Sequence, residues 1–416
     1  MRIGIIGAGA AGLATAWLLE GVHDTLVLEA RESVGGNLRS AYVPGGKGTP
    51  TALELGVQGI PLHLSTVAGE FTKSVGLEDR WDELPTGCAL VHDDGPSPRS
   101  AGRGVNAAPR VTADEARAAE ELLASHAADW ERQEIPWTAT LAESVELWDL
   151  PRHVKDQALY ALPASVFGCA PVDARNLSAR AVGPLYADPG PEADARTYRL
   201  RGGMQSLAWQ LARQCPSAQI VHGAAVRRVR RSNSQFELVD SHGARHLVDA
   251  VVLALTAESA RCIVGELGGT GPLRRILGAY DYNDLVYGVH SDPCYLPAER
   301  GEWAPMTISL HGAWAETTSW HELPDGDVFV SLLTHRETMP RASLTSTAFR
   351  LLLPTPAMLT AQAELLRLQG EGGLYFAGHI TTPLDDLDSV LSSAVAVARR
   401  LAPGSPRLAT FTGADG

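Results

Sequence analysis

Hydrophobic residues in the opening segment of the chain follow two different spacings. Arg2–Ile6 is a short apolar run of strand length, and a second such run covers Thr25–Leu28. Between these runs, apolar residues recur at the spacing that places them on one side of a helix, at Ala14, Trp17, Leu18 and Leu19. The pattern therefore predicts a strand, a helix and a second strand in close succession.

The predicted turn between the first strand and the helix contains Gly7, Gly9 and Gly12. In a dinucleotide fingerprint the first glycine permits the tight turn, the second lets the backbone approach a pyrophosphate, and the third lets helix and strand pack closely. The helix N-terminus offers unpaired N–H groups and a partial positive charge to the phosphates. Glu29, at the end of the second strand, can accept hydrogen bonds from a ribose. This order of elements predicts a bound dinucleotide.

Further along the chain, helical and strand-like patterns alternate. Capping boxes that begin at Thr112 and Thr140 predict helices within a long insertion. Asp249–Leu255 has the apolar composition of a buried parallel strand. Segments between residues 280 and 333 alternate in polarity and are separated by turn residues, so they predict a second sheet.

Composition and charge exclude several classes of protein. The chain of 416 residues is long for one domain, and its net charge of −13, without a basic stripe, argues against a nucleic-acid partner. The five cysteines never occur in CxxC spacing, so neither a disulfide framework nor a metal site is expected. The sequence has no apolar run of membrane-spanning length and no secretory signal before the first strand. We therefore expect a cytoplasmic protein.

The residues after the second strand indicate which dinucleotide binds. Glu29–Arg31 and Val34–Ser40 resemble the extended motif of the flavin-containing amine oxidase superfamily, which includes monoamine oxidases, protoporphyrinogen oxidase and phytoene desaturases and binds FAD. The resemblance implies that Arg31 and the Gly35–Gly36 peptides face the adenosine and the pyrophosphate. Asn37 departs from the family, which usually has arginine there, and the missing charge is expected to weaken binding.

Two later segments resemble the same superfamily. Leu53–Gly59 resembles the strand that runs past the flavin ring, where Gly56 leaves room and Gln58 would lie near N5. Within the superfamily, the pattern of this segment is closest to that of a bacterial FAD-dependent linoleate isomerase. Arg201–Leu207 resembles the return of the chain to the cofactor domain, after which the backbone of Val226 would contact adenine.

The C-terminal region carries the last part of the resemblance. Gly372–His379 resembles the closing strand and glycine of the superfamily, with Ile380 in place of the usual acid. The helix that follows is expected to point its N-terminus at the N1/O2 side of the flavin, with the amides of Ser389 and Val390 as donors.

Together these patterns predict an α/β protein with two parts. A Rossmann-like FAD-binding domain, with a parallel sheet and a small antiparallel sheet, is expected to comprise residues 1–76, 202–272 and 355–405. A discontinuous α+β substrate-binding domain with a helical insertion is expected to comprise residues 77–201 and 273–354. Residues 406–416 are expected to form a flexible tail.

The predicted site residues come from the fingerprint and from the resemblance. The catalytic candidates are Gln58 and His379, expected beside the isoalloxazine ring; a proton relay and a purely structural role are alternatives for the histidine. FAD is expected to be non-covalent, because the closing motif contains no cysteine. The predicted cofactor-binding residues are Gly7, Gly9, Ala10, Ala11, Gly12, Glu29, Ala30, Arg31, Gly35, Gly36, Asn37, Leu38, Gly56, Val57, Gln58, Val226, Leu255, Gly378, His379, Ser389 and Val390.

The resemblance implies hydride transfer to flavin N5 from a C–N or C–C bond of a small, mostly apolar metabolite. Many amine oxidases carry a lysine on the first strand of the second sheet, bound to N5 through water, and Tyr282–Leu285 has none. Three functions therefore stay open. They are an oxidase or dehydrogenase, a redox-neutral isomerase that returns the hydride to the substrate, and a flavin-binding module without turnover. The oligomeric state does not follow from the sequence.

Overall fold

The computed structural model describes residues 1–46, 50–61, 66–92, 110–186 and 196–411. Its strands, numbered in chain order, are β1 (Arg2–Ile6), β2 (Asp24–Leu28), β3 (Ser40–Val43), β4 (Thr51–Glu54), β5 (Ile60–Pro61), β6 (Trp81–Glu83), β7 (Cys88–His92), β8 (Thr197–Leu200), β9 (Gln219–Val221), β10 (Val226–Ser232), β11 (Gln235–Asp240), β12 (Arg245–Val248), β13 (Ala250–Leu253), β14 (Tyr282–His290), β15 (Met306–His311), β16 (Trp314–Leu323), β17 (Gly326–Leu332), β18 (Ser343–Leu352) and β19 (Leu374–Phe376).

The α-helices are α1 (Ala10–Leu19), α2 (Thr66–Ser74), α3 (Ala113–Arg132), α4 (Leu141–Val145), α5 (Arg152–Val154), α6 (Ala161–Phe167), α7 (Pro171–Ala174), α8 (Ala179–Val182), α9 (Gln205–Arg213), α10 (Ala257–Ile263), α11 (Gly271–Leu277), α12 (Pro356–Arg367) and α13 (Leu387–Leu401). A π-helical turn covers Lys155–Leu159, and short 3-10 turns cover Gly183–Leu185, Val264–Glu266, Arg300–Glu302, Glu371–Gly373, His379–Thr381 and Pro406–Thr410.

A parallel sheet in the order β19-β13-β1-β2-β9 forms the centre of the predicted FAD-binding part, residues 1–76, 202–272 and 355–405, which we call the cofactor half. One face packs against α1 and α13, and the other against the antiparallel sheet β10-β11-β12. Because both faces are covered, the strands are apolar along their length. A Cβ atom on Gly4 of β1 would lie 2.7 Å from the Leu238 side chain, so glycine there lets the small sheet pack directly on β1. The predicted α/β fold is confirmed.

A six-stranded sheet, in the order β18-β14-β17-β16-β15-β7, forms the centre of the second half. Its pairs are antiparallel except for β7, which runs parallel to β15. Ile308 and Ala315 pack against the helical insertion α3–α8, whereas Val289 and Val330 pack against the hairpin β3–β4. The face of the sheet that carries Val289 and Val330 therefore lies toward the cofactor half.

The helical insertion begins where the sequence predicts it. Thr112 accepts a hydrogen bond from the amide of Glu115 and the Glu115 side chain returns to the Thr112 amide, so the first capping box is formed. Thr140 and Glu143 form the second capping box in the same way. The long helix α3 then buries one side against the rest of the insertion, with Trp130 in the core rather than in a pocket.

Strand β18 is absent from the sequence-based prediction, although it pairs with β14 along nearly its whole length. Its first half is exposed and rich in serine and threonine, so apolar and polar positions do not alternate clearly there. Strand β18 is therefore recognised from its pairing with β14 and not from the alternation of apolar and polar residues in its own sequence.

Residues 406–411 of the predicted tail lie against the helices α1 and α2. The hydroxyl of Ser405 donates to the carbonyl oxygen of Leu18 at 2.6 Å, and Arg407 donates to the carbonyl oxygen of Trp17 at 2.8 Å. Phe411 is buried and its ring centroid lies 4.6 Å from that of Phe71. Burial of this aromatic side chain fixes the segment against α1 and α2. Residues 412–416 lie outside the described residues, and the domain boundaries stay a prediction.

Candidate functional site

The glycine turn after β1 is built from contacts between backbone atoms. Gly7 has φ +102°, in the left-handed region, and a Cβ atom there would lie 2.3 Å from the carbonyl oxygen of Ala254. A Cβ atom on Gly12 would lie 1.9 Å from the carbonyl oxygen of Gly7. Only glycine fits at these positions, as the fingerprint requires.

The N-terminus of α1 opens at this turn. The first donor within the helix is the amide of Leu13, which reaches the carbonyl oxygen of Gly9 at 3.0 Å. The amides of Ala11 and Gly12 precede it and have no acceptor within the described part of the chain. Unpaired N–H groups and the helix dipole make such an end attractive to phosphate.

Glu29 lies at the carboxyl end of β2 and is nearly buried. One carboxylate oxygen accepts from the amide of Ala8 at 2.7 Å, and the other accepts from the amide of Arg31 at 2.9 Å. The carboxylate therefore joins the tip of β2 to the glycine turn. Each oxygen keeps a second lone pair, which leaves capacity for a ribose hydroxyl.

The second glycine pair lies directly against the first glycine turn. Gly35 donates its amide to the carbonyl oxygen of Ala8 at 2.8 Å. Gly36 has φ +61°, and a Cβ atom on it would lie 2.9 Å from Cα of Gly9. The next residue, Asn37, is exposed. The two glycine motifs thus meet through their backbones, which explains why both require glycine.

Residues from the middle and the end of the chain complete the same edge of the sheet. A Cβ atom on Gly7 would lie 3.2 Å from the side chain of Leu255, and one on Gly378 would lie 3.5 Å from Cβ of Ala11. Gly378 itself has φ +94° and donates its amide to the hydroxyl of Ser393 at 2.7 Å. The structure therefore brings the three predicted segments together at the N-terminus of α1.

The predicted adenosine end lies beside the end of β2. The amide of Ala224 donates to the carbonyl oxygen of Glu29 at 2.8 Å, so the strand β9 and the start of β10 follow this turn closely. Val226 is half-buried at the first position of β10, whereas Ala30 and Arg31 are exposed. These residues border the surface end of the candidate site.

The segment before β5 passes the second glycine motif. A Cβ atom on Gly56 would lie 1.9 Å from the carbonyl oxygen of Asn37 and 3.0 Å from the ring of Phe349. Val57 packs against the core of the cofactor half, and Gln58 is half-buried. No hydrogen bond among the described residues joins Gln58 to His379, so the two catalytic candidates are not linked directly.

His379 belongs to a chain of polar side chains that sequence reasoning missed. Its Nε2 atom lies 3.0 Å from the hydroxyl of Tyr282, and that hydroxyl accepts the amide of Ala257 at 2.9 Å. Burial raises the pKa of Tyr282 well above its ordinary value, so the phenol keeps its proton. On the other side of the ring, Nδ1 of His379 lies 3.9 Å from a carboxylate oxygen of Asp385.

The two amides predicted as donors at the start of α13 have acceptors within the described chain. Asp386 caps the helix, and its carboxylate accepts from the amide of Ser389 at 2.8 Å. The amide of Val390 donates to the carbonyl oxygen of Asp386 at 3.0 Å. Both predicted donors are therefore used within the chain. In the described structure, the amides of Leu387 and Asp388 are the ones in this turn without a backbone or side-chain acceptor.

The return segment after β8 is tied to the cofactor half by Glu54, another residue that the sequence did not single out. Its buried carboxyl group accepts from the amide of Met204 at 2.9 Å and from the hydroxyl of Ser40 at 2.8 Å. Burial raises the pKa of Glu54 to about 7. This carboxyl group joins the hairpin β3–β4 to the N-terminus of α9.

The residues at this edge fit a flavin nucleotide. Glycine backbone lines the approach to α1, and the amides of Ala11 and Gly12 are open to an anion. Beyond Gly378, the Oδ2 atom of Asp385 is buried and has no hydrogen-bond partner in the described chain. A buried polar atom without a partner indicates a missing ligand or water. The site thus offers hydrogen-bond donors at the N-terminus of α1 and a hydrogen-bond acceptor at Asp385.

Within the described ranges, no helix is both long enough and apolar enough to cross a membrane. The same ranges contain no grouping of three or more His, Cys, Asp or Glu residues suited to a metal ion.

Comparison with known proteins identifies the family. The family model described as flavin containing amine oxidoreductase matches residues 10–275. Wild-type putrescine oxidase bound to putrescine has a TM-score of 0.67 at 15% identity, covering 97% of this chain and 99% of that one. An Exiguobacterium sp. 255-15 protein, provisionally described as a protoporphyrinogen oxidase, has a TM-score of 0.65 at 17% identity, covering 96% and 98%. No curated protein matches significantly in sequence.

Proposed function

Because the chain belongs to the flavin-containing amine oxidoreductase family, we propose that it is an FAD-dependent oxidoreductase acting on a small, mostly apolar metabolite. The proposed reaction removes hydride from a C–N or C–C bond. The observation that carries the proposal is the meeting of Gly7, Gly36 and Gly378 at the open N-terminus of α1. This arrangement supplies a backbone cradle for a diphosphate.

In this proposal each part of the cradle has a separate role. The amides of Ala11 and Gly12 hold the diphosphate, Glu29 accepts from the ribose, and the backbone of Val226 borders the adenine. Bound FAD supplies the hydride acceptor at its N5 atom. The chain positions the substrate carbon and excludes water from it. Positioning of this kind is what the protein contributes in flavin enzymes.

We assign catalytic or positioning roles to His379 and Gln58. In this assignment the Tyr282 hydroxyl donates to Nε2 of His379 and Nδ1 carries the proton that faces Asp385, so the ring can pass a proton along the line from Tyr282 to Asp385. Gln58 supplies an amide without titratable charge. The position of Gln58 near flavin N5 remains a prediction of the family resemblance.

The proposed function is tested with a spectrum of purified protein, followed by anaerobic mixing with amines, amino acids, fatty acids and polyprenyl compounds. An FAD-dependent oxidoreductase is expected to show the flavin spectrum and to lose its yellow colour with its substrate. In air an oxidase additionally produces peroxide, whereas a dehydrogenase requires another acceptor. A flavin-loaded protein that no compound in the panel bleaches, and that converts none of them, contradicts the proposal.

A redox-neutral isomerase is the second candidate. It is favoured by the absence of lysine from β14, where many amine oxidases carry one. An isomerase converts its substrate without net consumption of oxygen or any acceptor, so product analysis under anaerobic conditions separates it from the first candidate. A flavin-binding module binds FAD and converts nothing.

We further propose that FAD is held without a covalent bond. Acid precipitation is then expected to release all of the yellow colour into the supernatant. Colour that stays with the precipitated protein contradicts this part of the proposal.

A further inference from the structure

A row of polar side chains interrupts the inner face of the second sheet, which is the face that carries Val330. On strand β16, Ala315 packs against the helical insertion and Leu323 packs against the hairpin β3–β4. Three polar residues lie between these two on the same face: Thr317, Ser319 and His321. A polar row between two packed apolar patches indicates that this part of the face contacts something polar.

Strand β8 brings a cation to this region. The antiparallel register that pairs Ile60 with Tyr198 continues to Gly59 and Arg199. Arg199 therefore lies on the strand next to Gln58, the residue that follows Val57 and precedes Gly59. This places the guanidinium of Arg199 in the part of the chain to which the proposed reaction is assigned.

Arg199 and His321 are neighbours across the interface between β8 and β16. Burial and, after it, the nearby Arg199 guanidinium lower the pKa of His321 to about 4. The imidazole is thus neutral at pH 7, so that it can donate one hydrogen bond without adding a second positive charge. The pair offers one permanent cation and one neutral donor.

Neither side chain of this pair is satisfied within the chain. In the described ranges, Arg199 and His321 have no hydrogen-bond or ion-pair partner, and Nη1 of Arg199 is buried. Asp82, which lies opposite Arg199 on β6, accepts from Arg201 instead at 2.7 Å. Glu54 directs its oxygens at an amide and a hydroxyl group. A buried cation without a partner costs free energy unless an anion binds to it.

The surroundings indicate which anion fits. The titratable groups that interact with Arg199 are Glu54 and the neutral His321, and neither adds positive charge. A single guanidinium matches a carboxylate, whose two oxygens accept two parallel hydrogen bonds from it. The apolar cluster around Val328 and Val330 lies beside His321 in the sheet and can contact an apolar body.

We propose that Arg199 and His321 bind the carboxylate group of the substrate, which is therefore a mostly apolar carboxylic acid. The guanidinium donates two charge-assisted hydrogen bonds to the carboxylate, and the imidazole N–H donates a third. Both residues set specificity and take no part in the chemical step. This inference rests on the function proposed above, because the pair is related to the reacting carbon through the neighbouring Gln58.

The test is calorimetric titration of the protein, in the presence of excess FAD, with two acids and their uncharged amides. The pairs are phenylacetate with phenylacetamide and octanoate with octanamide, which separate an aryl from an alkyl body. The wild type is expected to bind at least one acid about tenfold or more tightly than its amide, and Arg199→Gln is expected to lose this preference. Arg274→Gln removes the same charge from an exposed position on α11 and is expected to behave like the wild type.

Two further measurements separate ligand binding from a structural role. Without ligand, Arg199→Gln is expected to melt at the same temperature as the wild type or higher, because an unpaired buried charge has been removed. A structural role of Arg199 would lower the melting temperature instead. His321→Phe keeps a planar ring without the N–H donor and is expected to weaken binding of the acid about threefold.

The inference is overturned by wild type that binds neither acid more tightly than its amide, or by Arg199→Gln that keeps the preference for the acid. Protein that is bleached by an uncharged compound and shows no preference for an acid would overturn this inference alone and leave the proposed function intact. Binding of the acids through Arg199 by protein that takes up no FAD would support the carboxylate site and contradict the proposed function.

Discussion

The glycine turns at the edge of the parallel sheet and the buried polar cluster on the outer face of the second sheet are held together in opposite ways. At the turns, Gly7, Gly12 and Gly36 approach other backbone atoms with no side chain between them. In the outer cluster, the carboxylate of Glu316 is almost fully buried and contacts His311, His335 and Arg336. One region depends on the absence of side chains, and the other depends entirely on them.

This difference determines which substitutions each region tolerates and whether the region can be recognised from the sequence. A backbone cradle requires glycine at fixed spacings, so its motif is visible in the sequence. A charge cluster forms only when the register of several strands places its members on one face. His311, Glu316 and His335 are separated by strand and turn residues whose pairing the sequence does not fix.

The largest expected effect is at the glycine turn. Gly12→Ala places a Cβ atom 1.9 Å from the carbonyl oxygen of Gly7, where only backbone movement can relieve the clash. We expect a loss of about 4–5 kcal/mol in the free energy of unfolding, at the upper end for single substitutions. Chemical denaturation of the purified variant measures it.

The matched control is Gly69→Ala in helix α2, where an added Cβ atom meets nothing within 4 Å. It is expected to stabilise the protein by about 0.5–1 kcal/mol, because alanine is the better helix former. Equal effects of the two alanine substitutions would contradict the role given to close backbone contact.

The second-largest expected effect on stability is at the buried polar cluster around Glu316. Glu316→Gln removes the carboxylate charge that lies 3.0 Å from the buried Arg336 guanidinium. We expect a loss of about 3–4 kcal/mol in the free energy of unfolding, since removing one partner of a buried ion pair is strongly destabilising. Denaturation by urea at neutral pH is the measurement.

Glu322→Gln on the same strand is the control, because Glu322 is exposed and pairs with the exposed Arg300. Its expected cost is below about 1 kcal/mol. Should the two glutamine variants be equally stable, the outer cluster would not contribute as a charge cluster.

A third prediction concerns Glu54, which holds the return segment. Burial raises its pKa in the folded protein to about 7 from an ordinary 4.5, so between these pH values the folded chain keeps a proton that the unfolded chain has released. The contribution of this group to the free energy of unfolding is therefore greatest at low pH and falls by roughly 3 kcal/mol as the pH rises through this interval.

Glu54→Gln has no proton to lose and keeps an acceptor for the amide of Met204. The stability of this variant relative to the wild type is expected to rise across the same pH interval, measured by urea denaturation at several pH values. A difference that stays constant over the interval would show that the carboxyl group titrates normally in the folded protein.

The smallest expected effect is at the closing motif. Tyr282→Phe removes the hydroxyl that accepts from the amide of Ala257 and lies beside Nε2 of His379, for an expected cost of about 1–2 kcal/mol. Nitrogen NMR of the histidine is expected to show the proton on Nδ1 in the wild type and a mixture of tautomers in the variant. An unchanged tautomer would remove Tyr282 from its role in positioning His379.

Sequence patterns predicted the parts of the structure that depend on local chemistry. The bounds of β1 and the caps at Thr112 and Thr140 are confirmed, because strand length, glycine spacing and capping boxes act over a few residues. The family resemblance and the α/β fold are also confirmed. The residues assigned to the cofactor remain predictions, although the structure brings many of them to one edge.

The missed features depend on residues that are distant in the sequence. Tyr282 and Asp385 meet His379 only after β14 and the closing motif have folded together, and β18 is recognised through its pairing with β14. Ser389 and Val390 stay predicted donors, although both amides are bound by Asp386, the cap of α13, which the sequence analysis did not single out. With Asp386 as the cap, the same rules assign the open amides to positions 387 and 388.

We propose that the two glycine motifs, the return segment and the closing motif form one site for FAD. The most direct test of this proposal is the flavin content of the purified protein, and the binding of FAD to protein from which flavin has been removed. The purified protein is expected to contain an equimolar amount of FAD, which acid releases and which rebinds with quenching of its fluorescence, and Gly12→Ala is expected to lose this binding. Protein that is colourless and leaves the fluorescence of added FAD unchanged would contradict it.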